Sequence, residues 1–154
     1  MSSLPCPNVG IAYRADPERD VTLTVWHGPV SCEEWREHVQ SIVSELDQGS
    51  PSRFLADIRS AADVSTITDE HISEMAQLFA RGAYGARAKV AVVAGDLFAG
   101  AEQFEHEPSM SGINTIVFND FATACTWLGL DPDAAVATVR ALRAEIDARR
   151  DEPR

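Results

Sequence analysis

Several features that would mark a membrane or secreted protein are missing from this sequence. No apolar run approaches the ~20 residues that a membrane-spanning helix needs. The N-terminal residues lack the basic and apolar regions of a signal peptide. The three cysteines, Cys6, Cys32 and Cys125, are far apart and odd in number, which fits reduced thiols rather than a disulfide framework. These absences favour a cytoplasmic protein with no membrane insertion.

Basic residues are also scarce. Lysine and arginine total 13 against 24 aspartates and glutamates, so the net charge is −11 at pH 7. This charge argues against nucleic acid and anionic membrane surfaces as partners, because both would be repelled. No serine or cysteine lies in a sharp glycine-flanked turn, and no glycine loop has the spacing of a dinucleotide site. We therefore predict no cofactor.

The apolar pattern that is present begins with a hairpin. Alternating apolar residues at 9–13 and 21–25 flank a polar segment, 15–20, which contains a proline. Two runs of period two around a short polar link predict an antiparallel β-hairpin.

Helix and strand patterns then alternate. Ser31 and Glu34 have the spacing of a capping box and predict the start of a first helix, and the apolar run 54–58 predicts an inner strand. Thr68 opens a second helix, which Gly82 and Gly85 are expected to end.

The second half of the chain continues this alternation. Residues 89–94 predict a buried strand, Asp96 a helix cap, and residues 113–118 the last strand. Asp120 is expected to cap a short helix that turns Cys125 inward. Asp131 and Pro132 are expected to start a final helix, whose apolar stripe is Ala135, Val139, Leu142 and Ile146.

Together these patterns predict one α/β domain of the α+β sandwich type. We expect a mixed sheet of about five strands, with an N-terminal hairpin and helices packed mainly on one face. The predicted boundaries are an extension over 1–8, a domain over 9–130, a C-terminal helix over 131–148 and a charged tail over 149–154.

Three segments carry a resemblance to a known superfamily. They are Phe54-Leu-Ala-Asp-Ile-Arg59, the strand 88–96 that runs into Ala99-Gly-Ala101, and the segment 116–128 with its Ala-Cys-Thr-Trp-Leu helix. The chain resembles the STAS superfamily, and within it the bacterial SpoIIAA-like branch, over residues 9–130. The resemblance implies that fold, and Asp57, Arg59 and Asp96 are candidate binding residues because open α/β sheets bind ligands at strand carboxyl ends.

Phosphorylatable STAS proteins have an Asp-Ser-Ser-Gly-like motif after the inner strand, and this sequence departs from it. Ser65, Thr66 and Thr68 lie near that place without the motif. Serine and threonine at a helix start are usually caps, although a phosphate there would meet exposed amides. A phospho-switched regulatory protein therefore stays an alternative.

An enzyme is the other alternative. His27 and Asp57 lie near predicted strand ends, where they would meet as a base and its orienting carboxylate in a small hydrolase. Glu102, Glu105 and His106 would share one helix face as metal ligands, although the sequence offers no further ligands for a complete site. His38 and His71 are interpreted as solvated residues on two helices.

The favoured hypothesis is a non-enzymatic STAS-like domain that acts through protein contacts or binds a small apolar ligand. Its aromatic residues would line a contact surface or a cavity. A sheet edge left open would support a homodimer. The aromatic residues concerned are Trp26, Trp35, Phe79, Phe98 and Phe104.

Overall fold

The fold was obtained as a computed structural model, which describes residues 10–46, 52–86 and 88–151. Five strands and five α-helices lie within these ranges. In chain order they are β1 (Ile11–Asp16), β2 (Val21–Gly28), α1 (Cys32–Leu46), β3 (Arg53–Ala61), α2 (Asp69–Ala86), β4 (Lys89–Val93), α3 (Phe98–Glu105), β5 (Asn114–Phe118), α4 (Phe121–Leu128) and α5 (Pro132–Asp151), with 3₁₀ turns at Gly95–Leu97 and Pro108–Met110.

The strands form one sheet in the order β1-β2-β3-β4-β5. β1 pairs antiparallel with β2 as the predicted hairpin, and every later pair is parallel. The three helical crossovers therefore advance by one strand each in the same direction. Because crossovers of this kind share one hand, they place α1, α2 and α3 on the same face of the sheet. The α/β class and the mixed five-stranded sheet are confirmed.

Side chains alternate between the two faces and form two separate cores. On the first face, Phe54 packs with Val39 of α1, Met75 of α2 and Ala101 of α3. On the second face, the neighbouring Leu55 packs against α4 and α5, whose predicted stripe of Ala135, Val139, Leu142 and Ile146 is buried throughout. Three helices thus cover one face, and the other two keep the second face from solvent.

Capping contacts confirm the predicted starts of α1 and α4. The Glu34 amide donates to Ser31 Oγ at 3.2 Å. The Glu34 carboxyl accepts hydrogen bonds from the Ser31 and Gly10 backbones, which complete the capping box, while burial raises its pKa. Asp120 accepts from the Thr123 amide at 2.8 Å and so caps α4.

Two predicted helix ends are wrong. α2 does not stop at its glycines but continues through Gly82 and Gly85 to Ala86. A helical glycine costs about 1 kcal/mol relative to alanine, which is less than the burial of Met75 and Phe79 on the same helix contributes. The charged tail was expected from residue 149, but α5 is helical to Asp151.

The end of α5 is held by backbone acceptors from the beginning of the chain. Arg149 Nη1 donates to the carbonyl oxygen of Ile11 at 3.1 Å, and Arg150 Nη2 donates to that of Pro29 at 3.0 Å. The arginines expected to fray thus connect α5 to the hairpin and to the loop before α1.

The cap predicted at Asp96 is also wrong. Gly95 has a φ of +56°, and the residues Gly95–Leu97 form a 3₁₀ turn before α3 begins. Neither residue that precedes these two helical segments, Ala94 or Leu97, makes a side-chain capping bond. Asp96 therefore projects from the turn as an exposed carboxylate.

Candidate functional site

A cavity lies between the first face of the sheet and helices α1, α2 and α3. Its volume is about 480 Å³. Ala56 lies on β3, the central strand, and contributes only a methyl group to the floor. On α3, Ala101 likewise contributes only a methyl group, and Gly100 contributes no side chain. Small residues on both the sheet and the helix layer therefore leave a space that larger side chains would fill.

Aromatic rings form a continuous wall of this cavity. The ring centroids of Trp26 and Trp35 are 5.4 Å apart, and those of Trp35 and Phe104 are 5.9 Å apart. Phe104 contacts Phe79 at 6.2 Å, and Phe79 contacts Phe54 at 5.5 Å. All five rings line the cavity. Such offset and edge-to-face pairs hold large apolar side chains in fixed positions.

Four of the five aromatic residues predicted to line a surface or cavity belong to this wall. They are Trp26, Trp35, Phe79 and Phe104. Phe98 is not among the lining residues and packs, partly buried, against the first core. Phe54, whose side chain extends the wall, was assigned from the sequence only to an inner strand.

The mouth of the cavity is formed by partly exposed apolar residues and two acids. Val64, Ile67 and Leu97 line it and are half-buried. Asp69 at the start of α2 and Asp96 in the 3₁₀ turn also line it and are exposed. Among the described lining residues there is no lysine or arginine, so the entrance is acidic and the interior is apolar.

His38 is the buried polar side chain of the cavity wall that sequence reasoning missed. It was interpreted as solvated, but it is only 4% exposed. Its Nε2 lies 3.2 Å from Thr24 Oγ1, and the Tyr13 ring packs edge-on at 5.1 Å. Burial lowers the pKa of His38 to about 4, so the ring is neutral at pH 7. The signal was present, since position 38 lies on the same helix face as Trp35 and Ile42.

One atom of this imidazole has no hydrogen-bond partner. The Nδ1 of His38 is fully buried and is unpaired within the described part of the chain. A buried polar atom without a partner destabilises the fold by about 1–3 kcal/mol. Buried polar atoms are nearly always paired in proteins. The His38 side chain lines the cavity, so a molecule that enters it lies beside the imidazole that carries this unpaired atom.

The candidate binding residues Asp57 and Arg59 lie on the opposite face of the sheet. Asp57 is fully buried and is the fifth residue of β3, not the strand end that was predicted. Its Oδ1 accepts from Arg59 Nε at 2.9 Å, and its Oδ2 accepts from Arg59 Nη2 at 2.7 Å. Arg143 of α5 donates to the same Oδ2 at 3.2 Å. Arg143 Nε is buried without a partner among the described residues, but the bond from its Nη2 joins α5 to the sheet.

Arg59 and Asp96 are not brought together as a binding pair. The Arg59 guanidinium lies over the Phe121 ring, 5.0 Å from its centroid. The hydrogen bond to Asp57 raises the pKa of Arg59. The positive charge of Arg59 is therefore paired on the second face of the sheet. Asp96 instead lines the mouth of the cavity on the first face.

His27 does not bond to Asp57, so the predicted catalytic pair is wrong. Its Nδ1 lies 3.1 Å from Ser60 Oγ, and its Nε2 lies 3.0 Å from Asp147 Oδ1. This serine, histidine and aspartate form a chain that the sequence did not reveal. However, Ser60 Oγ donates its proton to the Trp26 carbonyl oxygen at 3.0 Å, and the Asp147 side chain is 62% exposed. The arrangement lacks the proton path from serine to histidine that nucleophilic catalysis needs.

The predicted metal ligands Glu102, Glu105 and His106 do not form a cluster. Within residues 10–46, 52–86 and 88–151, no three histidine, cysteine or acidic side chains are close enough to share a metal ion. The physical reason is that α3 ends at Glu105, and His106 follows with a φ of −89° and a ψ of 2°. The imidazole is therefore off the helix on which the spacing was counted.

All three candidate phospho-acceptors make local hydrogen bonds. Thr68 Oγ1 accepts from the His71 amide at 3.3 Å and caps α2, while the Thr68 amide donates to His71 Nδ1 at 3.0 Å. Thr66 Oγ1 accepts from the Cys32 amide at 3.3 Å. Ser65 is exposed, and its amide donates to Asp63 Oδ1 at 2.9 Å.

The two described cysteines are buried free thiols. Burial, with a smaller effect from the Asp57 carboxylate, raises the pKa of Cys125 to about 11, as expected for the inward-facing position predicted. Burial also raises the pKa of Cys32, which outweighs the nearby Arg36 guanidinium. Neither thiol has the lowered pKa of a nucleophile. Cys6 lies outside the described residues.

Comparison with known proteins assigns this chain to no family. No protein-family model matches the chain, and a search of curated proteins finds no significant match. None of the helices in the described ranges has the length and apolar character required to cross a membrane.

Proposed function

We propose that this protein is a non-enzymatic STAS-like domain that binds a small apolar molecule in the cavity of the first face. The observation that carries the proposal is the 480 Å³ cavity with a continuous aromatic wall. Ligand sites are typically concave, mostly apolar and about 300–1,000 Å³ in volume. The order of strands and helices supports the STAS-like part of the proposal.

The size of the cavity defines the size of the ligand. Protein interiors are close-packed, with few voids larger than a water molecule. An apolar cavity of about 150 Å³ is sufficient to bind benzene, and the volume here is roughly three times as large. A rigid molecule of two or three rings, or a branched aliphatic chain of similar volume, fits this space.

Binding of a neutral fluorescent probe tests the proposal. N-phenyl-1-naphthylamine has two apolar ring units, and its fluorescence rises when it leaves water. We expect saturable enhancement with the purified protein. Ala56→Phe fills the floor of the cavity and should weaken probe binding at least tenfold. Ala137→Phe adds the same ring at an exposed position on α5 and should bind the probe like the wild type.

A second variant that blocks the cavity keeps the test valid if Ala56→Phe fails to fold. A Cβ built at Gly100 meets only the Ile72 Cδ1 atom, at 3.9 Å, so a Cβ fits there without strain. Gly100→Leu should therefore fold normally and still obstruct the cavity. Absence of saturable binding to the wild type, or equal affinity in the wild type, Ala56→Phe and Gly100→Leu, would show that the cavity is not the site.

We also propose that the protein is a cytoplasmic homodimer. The sheet supports this because β1 and β5 are its edge strands, and edge strands offer unpaired backbone groups to a second copy. The reduced, buried Cys32 and Cys125 support a reducing compartment. Native mass spectrometry of the freshly purified protein reports the mass of the assembly and of any molecule retained in it. A monomer at micromolar concentration would contradict the dimer.

A further inference from the structure

We propose that the ligand is a neutral apolar molecule with one hydroxyl group, which enters hydroxyl first and forms a hydrogen bond with His38 Nδ1. The inference rests on the proposed function, since it defines the chemistry of a molecule in the same cavity. The unpaired, buried atom and the acidic entrance carry it.

Apart from the half-buried Gln103, the polar side chains of the cavity wall fall into an inner set and an outer set. Thr24 and His38 are buried, at 5% and 4% exposure, and bond to each other. Asp69 and Asp96 are exposed at the entrance. The inner set therefore offers His38 Nδ1 as its unpaired atom, while the outer set remains in water. A ligand with its polar group at the inner end satisfies the buried atom and leaves its apolar body against the aromatic wall.

A hydroxyl suits this atom better than other neutral groups. Either the Thr24 hydroxyl donates to Nε2, which leaves a proton on Nδ1, or Nε2 carries the proton and Nδ1 is an acceptor. A carbonyl oxygen serves only the first arrangement. A hydroxyl donates and accepts, so it completes the hydrogen bonding of both tautomers. A hydroxyl therefore gives Nδ1 a hydrogen-bond partner in either tautomer of the ring.

Charged ligands are disfavoured at the inner end. An anion meets Asp69 and Asp96 at the entrance, and the described lining residues offer no lysine or arginine to pair with it. His38 supplies no positive charge, because burial keeps the ring neutral at pH 7. The carboxylates that would pair with a cation, those of Asp69 and Asp96, lie only at the exposed entrance. Burial of an unpaired charge in such an interior is strongly unfavourable, so the buried part of the ligand is neutral.

Competition against bound N-phenyl-1-naphthylamine at pH 7.5 tests the ligand chemistry. The competitors are 2-naphthol, 2-methylnaphthalene and 2-naphthoate, which share one ring system. The hydrophobic effect alone favours 2-methylnaphthalene, because a methyl group replaces the hydroxyl. We expect the reverse, with 2-naphthol competing about five- to tenfold better, the gain of one buried hydrogen bond. The naphthoate should compete least.

Two variants assign the preference to His38. His38→Leu preserves volume without a polar atom and should bind 2-methylnaphthalene better than 2-naphthol. His38→Asn keeps a polar atom near the position of Nδ1 and should retain part of the preference for 2-naphthol. Urea unfolding of each variant checks that it is folded.

The outcomes separate the two proposals. If none of these compounds, including N-phenyl-1-naphthylamine, binds the wild type, the proposed function fails and the inference with it. If the compounds bind but the wild type prefers 2-methylnaphthalene, only the hydroxyl inference is overturned. Preference for 2-naphthol that survives in His38→Leu, or that is lost equally in His38→Asn, would also overturn it.

Discussion

The buried imidazole of His38 makes the stability of the protein depend on pH. The ring is 4% exposed, and burial lowers its pKa from 6.5 to about 4. In the unfolded chain the ring is in water and binds a proton at higher pH. Between pH 6.5 and about 4 the unfolded state therefore holds more protons, and stability is lost as the pH falls through this window. At pH 7.5 the ring is neutral in both states, so its titration does not change the free energy of unfolding.

The size of the effect follows from the two pKa values. A shift of one pKa unit is equivalent to about 1.4 kcal/mol. The full loss is thus on the order of 3 kcal/mol once the pH is below both values. At pH 5.0 the folded ring is still mostly neutral, and the same linkage gives a loss on the order of 2 kcal/mol.

Urea unfolding at pH 7.5 and pH 5.0 measures this loss. His38→Leu has no group that titrates at this position, so it should lose on the order of 2 kcal/mol less than the wild type between the two pH values. The raised pKa of Glu34 also affects this pH range, but it contributes equally to both proteins and cancels in their difference. Equal losses in wild type and His38→Leu would refute the reasoning.

His106→Gln is a matched control for this experiment. His106 is exposed after the end of α3, so folding does not remove its ring from water. Its replacement should leave the wild-type difference between pH 7.5 and pH 5.0 unchanged. A reduced difference in His106→Gln would show that histidine content, not burial at position 38, sets the pH dependence.

Three further predictions concern the second face of the sheet and the thiols. Asp57→Ala should lower the free energy of unfolding by about 3 kcal/mol, measured by urea titration, because it removes the buried partner of two guanidinium groups. Loss of less than 1 kcal/mol would contradict this role. Leu142→Ala should cost about 2–5 kcal/mol, since the side chain is 1% exposed; a cost below 1 kcal/mol would show that α5 does not belong to the core. In a Cys6→Ser background, Cys32 and Cys125 should resist alkylation at pH 8 and react fully in urea. Rapid labelling of the native protein would contradict their burial.

Local sequence signals accounted for most of the fold. The stripe at positions 135, 139, 142 and 146 predicts a helix with one buried side, and those residues are all buried. The hairpin and the capping residues Ser31 and Asp120 were predictable for the same reason, since each depends on neighbours within a few positions. The signals failed at Gly82 and Gly85, where packing of the preceding turns outweighs the low helix propensity of glycine.

The candidate site was predictable only in part. Four of the lining aromatic residues were assigned to a surface or cavity, yet the pattern could not show that Ala56 and Gly100 line the same cavity. His38 was interpreted as solvated because a polar residue next to the apolar stripe of a helix ordinarily lies at the edge of that stripe, in water. Its burial depends on β1 and β2, which supply Tyr13 and Thr24 from a distant part of the chain.

The sequence by itself determined the order of elements, the alternation of faces and the acidic, cysteine-poor character of the protein, because periodicity, capping and composition are local properties. Tertiary structure alone decided which polar groups from distant parts of the chain meet. It paired Asp57 with Arg143 and His27 with Asp147, and it left His38 Nδ1 unpaired beside an apolar cavity. These relations join residues that are distant along the chain, and no local rule specifies them.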